Sequence, residues 1–167
     1  MGKLKVIFLD IDGVLNVIPQ GRDKYGSIFH QNFIDNLERL INETDAKIVI
    51  SSTWRFSGLE SMQNMWKDRN LPGEVIDITP DCADIVESDS NDTEFYDLVE
   101  RGHEINEWLK KHPEVEKYVI LDDDNDMLKS QQEFFVRTVN NDHPDAIDIG
   151  YGLTKKCTDR AINILNT

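Results

Sequence analysis

Two aspartates, Asp10 and Asp12, follow an unbroken apolar run at residues 6–9, and Gly13 comes directly after them. The run contains β-branched and aromatic residues, which is typical of a central parallel strand covered on both faces. Alternation along an extended chain predicts that both carboxylates lie on one side, and the glycine allows a tight turn beside a ligand. Because two close carboxylates resist ionising together, the pair indicates a bound cation or a shared proton.

Polar side chains also end two other predicted strands. The strand KIVIS ends at Ser51, which Ser52 follows, and the strand YVILD ends at Asp122, which Asp123 follows. In open parallel sheets, ligands bind at the carboxyl ends of the strands, so we expect these groups to lie near the first pair of acids. Oxygen donors without clustered His or Cys are the set that Mg²⁺ prefers. The sequence therefore predicts a magnesium site at this edge.

Amphipathic helices must connect and support these strands. Apolar residues recur at helical spacing in four stretches, and Thr154 is placed to cap the last of them. Ser57 with Glu60 forms a capping-box pattern, which predicts that a helix begins there.

Strands and helices alternate along the whole chain. Further strands are predicted at residues 75–79, near an edge of the sheet, and at residues 134–139, while residues 16–29 have the composition of a loop or short hairpin. The alternation predicts an α/β, Rossmann-like domain with a parallel sheet of about five strands and helices on both faces. A length of 167 residues fits one domain, at residues 1–167.

The composition excludes some classes of partner. A formal charge of −14 opposes broad attraction to nucleic-acid backbones. No apolar run is long enough to span a bilayer or to act as a signal peptide, so we expect a cytoplasmic protein without membrane contacts. Cys82 and Cys157 have no spacing typical of a zinc site or disulfide framework.

Residues 80–100 contain eight acidic residues and no basic residue. This acidic segment fits either a solvated surface excursion with partial helix or a lid or partner-binding element.

The motifs together resemble the haloacid dehalogenase (HAD) superfamily. The run DIDGVL, from Asp10, is similar to motif I, Ser51 to motif II, and Asp122 with Asp123 to the acidic motif IV. The run LDDDND also parallels the family's GDxxxD form. The runs ISSTWR, RGHEINEWL and FVRT…GLT are similar to small HAD domains found in nucleic-acid repair proteins.

The resemblance implies a phosphatase mechanism. Asp10 would attack phosphorus and form an aspartyl-phosphate, while Asp12 would act as the general acid and base. Mg²⁺ would be held by the Asp10 carboxylate, the Asp12 backbone carbonyl and a motif IV acid. Asp122 fits the GDxxxD form and Asp123 fits the DD form, so both stay candidates.

The resemblance also implies phosphate-binding residues. Ser51, with Ser52 beside it, would bind the phosphoryl oxygens, and motif III requires a Lys or Arg. Arg101 is the candidate for motif III and Lys129 the alternative. Arg55, which follows Trp54, could bind a substrate phosphate as a planar fork or only stack on its neighbour.

Only 38 residues separate Asp12 from Ser51, which leaves no room for a large cap domain there. The resemblance then implies an open site that admits a phosphorylated small molecule, a nucleotide or a nucleic-acid end. The leading hypothesis is a Mg²⁺-dependent phosphomonoester hydrolase, and the alternative is a noncatalytic phosphate- or metal-binding module. A response-regulator receiver is disfavoured because its phosphoacceptor aspartate follows a later strand.

Overall fold

The structure is a computed structural model that describes residues 3–17, 20–81, 100–138 and 151–167. A five-stranded parallel sheet forms the centre of the protein. The strands are β1 (Leu4–Leu9), β4 (Lys47–Ile50), β5 (Val75–Ile78), β6 (Val115–Asp122) and β7 (Phe135–Arg137). The strand order is β5-β4-β1-β6-β7, and every pairing in this sheet is parallel. A separate antiparallel hairpin is formed by β2 (Arg22–Asp23) and β3 (Gly26–Ser27).

Helices cover both faces of the sheet. The described helices are α1 (Gln31–Thr44), α2 (Leu59–Asp68), α3 (Glu100–Lys110) and α4 (Lys155–Asn166), with short 3₁₀ helices at Thr53–Ser57 and Lys129–Phe134. Phe8 of β1 faces α3, where its ring meets Trp108 with centroids 5.4 Å apart. Ile7 and Leu9 point to the opposite face, in the core formed with α1, α2 and α4. The predicted α/β sheet covered on both faces is confirmed.

The position of β1 brings three strand ends together. Leu9, the last residue of β1, pairs with Ile50 of β4 on one side and with Leu121 of β6 on the other. The pairing continues past the strand ends, because Ser51 N–H donates to the Leu9 carbonyl at 2.9 Å and Asp10 N–H donates to the Leu121 carbonyl at 3.0 Å. The predicted groups therefore leave the sheet side by side.

Two cap predictions have different outcomes. Thr154 caps α4 as predicted, since its hydroxyl accepts a hydrogen bond from Cys157 N–H at 3.3 Å. The predicted capping box at Ser57 is wrong. Ser57 ends the preceding 3₁₀ helix, and Gly58, with φ +94°, stands at the N-cap of α2 without a side-chain cap.

Between Asp12 and Ser51 the described residues form the hairpin and α1, and the described ranges contain no large cap domain. Strand β5 lies at an edge of the sheet, as predicted. Most of the acidic segment, along with Val139 of the predicted last strand and Cys82, lies outside the described residues. Within those residues, no helix is both long and apolar enough to cross a membrane.

Candidate active site

Three carboxylates meet at the ends of β1 and β6. Asp10, Asp122 and Asp123 each offer an oxygen, and these oxygens lie within 4.8 Å of one another. Asp10 and Asp122 are buried, with 7% and 2% of their surfaces exposed, whereas Asp123 is half-buried. The structure thus places both motif IV candidates beside Asp10.

Gly13 makes this close approach possible. Its φ of +82° is a conformation that other residues rarely adopt, and a Cβ at this position would collide with the Asp123 carboxylate. The turn after the first two aspartates therefore requires a glycine for both reasons.

Arg101, in the first turn of α3, faces the buried acids. Its Nη1 lies 3.5 Å from Asp10 Oδ1 and 3.4 Å from Asp122 Oδ2, and it donates to the Ser51 carbonyl. The helix start is held by Asp126, whose carboxylate accepts the Arg101 backbone N–H at 3.1 Å. Lys129, the alternative cation, is exposed at the start of the second 3₁₀ helix. Of the two candidates, Arg101 is the one that the structure brings to the acids.

Burial changes how the acids hold protons. Burial raises the pKa of Asp10 to about 6, against the opposing effect of Arg101. Burial, with the charge of Asp10 added, raises the pKa of Asp122 to about 9. Without a further positive charge, this pair retains a proton at neutral pH.

Asp12 has a different environment from Asp10. Its carboxylate is exposed, and both of its oxygens accept hydrogen bonds, Oδ1 from Asn16 Nδ2 and Oδ2 from Trp54 Nε1, each at 3.0 Å. Two carboxylates separated by one residue thus have different surroundings, since Asp10 is buried among charges and Asp12 is held at the surface by neutral donors.

Ser51 carries a buried hydroxyl for which the described residues provide no hydrogen-bond partner. The residue is 1% exposed, and its carbonyl accepts from Arg101. Leaving a buried polar group unpaired costs about 1–3 kcal/mol, so such a group often has a functional reason. Ser52 differs, because its Oγ accepts from Trp54 N–H at 3.3 Å and caps the first 3₁₀ helix.

A comparison with protein families matches residues 6–143 to the family described as the HAD domain in Swiss Army Knife RNA repair proteins. The chain belongs to this family. No match was found among curated proteins or among solved structures. Membership in this family supports phosphoesterase chemistry of the HAD type as a general class of reaction. The matched range includes every site residue described above.

The donor set of this HAD domain fits a hard cation. Asp10, Asp122 and Asp123 supply carboxylate oxygens only, and burial, which raises the pKa of Asp10 and Asp122, makes their charged forms costly unless a cation offsets them. These acids would hold the ion, and the Asp12 backbone carbonyl is the further ligand that the family resemblance implies.

Arg55 is buried and contacts protein oxygens. Its guanidinium is 4% exposed and pairs with Glu104, with Nη2 2.6 Å from Oε2. Other donors reach the carbonyls of Ser52 and Thr79, at 2.7 and 3.0 Å, and the guanidinium lies over the Phe56 ring rather than over Trp54. The neighbour on which Arg55 stacks is thus Phe56, its guanidinium is engaged by protein oxygens, and a phosphate role for it stays a prediction.

Three residues near the site were not predicted as site residues: Asn16, Trp54 and Glu104. Asn16 and Trp54 lie next to recognised motifs, which is the only sequence signal that they offered. Glu104 is buried on α3 and contacts Arg55 and, at 3.8 Å, Arg101. Its role depends on packing between distant segments, which no local pattern indicates.

Proposed function

We propose that this HAD domain is a Mg²⁺-dependent phosphomonoester hydrolase that acts through an aspartyl-phosphate at Asp10. One observation carries the proposal: the strand-end aspartate is buried between a cation, Arg101, and two further acids, while Asp12 is exposed two residues later. A nucleophile and a separate proton carrier need this difference in environment.

The reaction has two displacements. An Asp10 oxygen attacks phosphorus, the bond to the leaving oxygen breaks, and Asp12 gives that oxygen a proton. Water then attacks the phosphorus, Asp12 takes its proton, and the bond to Asp10 breaks to release phosphate. Asp12 is exposed, so both the leaving group and the water can reach it.

The transferring group carries negative charge that the site must offset. Arg101 lies where it can pair with phosphoryl oxygens, and the unpartnered Ser51 hydroxyl can donate to one of them. Mg²⁺ bound at the carboxylates would add positive charge that draws the phosphate towards Asp10.

We propose a nucleotide or a nucleic-acid end as the substrate. The family description, which concerns RNA repair proteins, supports this class. The charge of −14 favours contacts limited to the terminal phosphate and its neighbours over extended backbone binding.

The first test compares wild-type and Asp10→Asn proteins on an aryl phosphate with Mg²⁺. Loss of the nucleophile should lower turnover by about 10³-fold or more, whereas Asp35→Asn, an exposed change on α1, should not alter it. Equal turnover by wild-type and Asp10→Asn proteins would refute the mechanism. Binding of Mg²⁺ and phosphate without turnover of nucleotides, 5′- and 3′-phosphorylated oligonucleotides, sugar phosphates or phosphopeptides would favour a noncatalytic binding module instead.

A further inference from the structure

Trp54 is held in a fixed position beside the proton carrier. Its ring lies 5.6 Å from the Phe29 ring, centroid to centroid, and the Arg69 guanidinium lies 5.9 Å from the Trp54 ring. A Cβ on Gly26, in the hairpin, would lie 3.1 Å from the indole. With packing on these sides, the indole N–H is directed at Asp12 Oδ2.

The hairpin that packs on Trp54 is itself fastened to the rest of the protein. Arg69, at the end of α2, donates to both carboxylate oxygens of Asp23, at 2.8 and 2.6 Å, and to the carbonyls of Gly26 and Ser27. The orientation of the indole is therefore set by three segments: the hairpin, the 3₁₀ helix and α2.

We infer that Trp54, together with Asn16, is a positioning residue for Asp12. The inference rests on the proposed function, in which Asp12 carries the proton. An exposed carboxylate would otherwise sample several rotamers, and proton transfer requires the carboxylate oxygen within hydrogen-bond reach of the leaving oxygen. Two N–H donors, one on each oxygen, restrict the side chain to one arrangement before the substrate binds.

If Trp54 positions the acid, the rate loss in a Trp54 variant should depend on the basicity of the leaving group. A simple alkyl phosphate releases a strongly basic alkoxide, which must be protonated as it leaves, whereas p-nitrophenyl phosphate releases a stabilised anion that needs little help. A defect in positioning the acid should therefore slow the alkyl substrate more than the aryl substrate. A general loss of folded protein would slow both to the same extent.

The decisive variant is Trp54→Phe, which keeps an aromatic ring and removes the N–H. We expect kcat/KM to fall about tenfold for the alkyl phosphate and less than about twofold for p-nitrophenyl phosphate, a fraction of the full contribution of a general acid. Asn16→Ala, which removes the other donor, should give the same substrate dependence. Trp66→Phe is the matched control, because Trp66, on α2, donates its Nε1–H to the carbonyl of Pro72, beyond the end of that helix, rather than to the site.

The outcomes distinguish failure of the positioning role from failure of the proposed function. If Trp54→Phe and Asn16→Ala slow both substrates equally, or slow neither, while Asp10→Asn is inactive, the positioning role is refuted and the proposed function stands. If the wild-type protein shows no turnover that depends on Asp10, the proposed function fails and this inference fails with it. Should Trp54→Phe not fold, Asn16→Ala decides the question alone.

Discussion

Ser51 and Ser52 are adjacent in sequence, but within the described residues only the Ser52 hydroxyl has a hydrogen-bond partner. Ser52 Oγ caps the first 3₁₀ helix, whereas Ser51 Oγ is buried with no partner in the described part of the chain. A buried hydroxyl that forms no hydrogen bond in the folded protein does not stabilise it, so removing the hydroxyl should not lower the free energy of unfolding. Its value must come from a bound partner, and we propose a phosphoryl oxygen.

Ser51→Ala should therefore separate stability from activity. We expect turnover to fall by roughly 10²-fold, as for the loss of one oxyanion donor, while the free energy of unfolding stays constant or rises. Ser52→Ala is the matched comparison and should lower the free energy of unfolding by about 1 kcal/mol through loss of the cap. Denaturant unfolding and steady-state kinetics measure both effects. A Ser51→Ala protein that is less stable yet fully active would contradict the assignment.

The sequence indicated a site residue when its neighbours in the site also lay at the ends of recognisable strands. Asp10, Ser51 and Asp122 follow recognisable strands, so parallel pairing alone predicts that they meet. The pairing of Arg55 could not be predicted, because its partner, Glu104, is on a different element. A free guanidinium and a buried, paired one have the same sequence signature, and only packing distinguishes them.

The Arg55–Glu104 pair joins the loop after β4 to α3. The two side chains are each 4% exposed, and Glu104 Oε1 also lies 3.8 Å from Arg101 Nε. The loop carries Ser51, the proposed phosphate-binding serine, and the helix carries Arg101, the proposed phosphate-binding cation. The pair therefore joins the two sides of the proposed phosphate site.

Glu104→Gln should be strongly destabilising, because it leaves the Arg55 charge buried without its counter-ion. We expect a loss of about 3–5 kcal/mol in the free energy of unfolding. Lys110→Ala, on the same helix, removes the exposed pair with Glu107 and should cost less than about 1 kcal/mol. Denaturant unfolding of both variants checks the contrast, and similar losses in the two would count against a structural role for the buried pair.

Local sequence patterns predicted which strands and helices form better than they predicted where each one begins and ends. Strand β1 was recognisable because all four residues from 6 to 9 are apolar, as a strand buried on both faces requires. The capping box at Ser57 failed because a 3₁₀ turn, capped by Ser52, occupies that stretch and the chain changes direction at Gly58. A four-residue pattern cannot report a competing turn that begins before it.

The buried acids link the stability of the protein to pH. In the unfolded chain Asp122 has its ordinary pKa of 3.8, and in the folded protein burial and Asp10 raise this pKa to about 9. Between these values the folded state binds more protons than the unfolded state, so the contribution of Asp122 to stability falls as pH rises. Asp10 adds a smaller fall between about pH 4 and 6.

Asp122→Asn should remove most of this dependence. Without metal, we expect the variant to be more stable than the wild-type protein at pH 8 and the two to converge as the pH approaches 4. Mg²⁺ should stabilise the wild-type protein more than the variant, because only a ligand that binds the folded state raises its stability. Thermal and denaturant unfolding across this range, with and without Mg²⁺, measure the difference; parallel pH curves for the two proteins would exclude the linkage.

The central position of β1 also has a consequence in time. Asp10 and Asp12 are synthesised before Arg101 and before the acids at the end of β6, Asp122 and Asp123. Until β6 pairs with β1, Asp10 is an ordinary solvated carboxylate with neither its cation nor its neighbouring acids. A growing chain therefore carries Asp10, the proposed nucleophile, before the charged groups around it are present, and the candidate site forms only when β6 has joined the sheet.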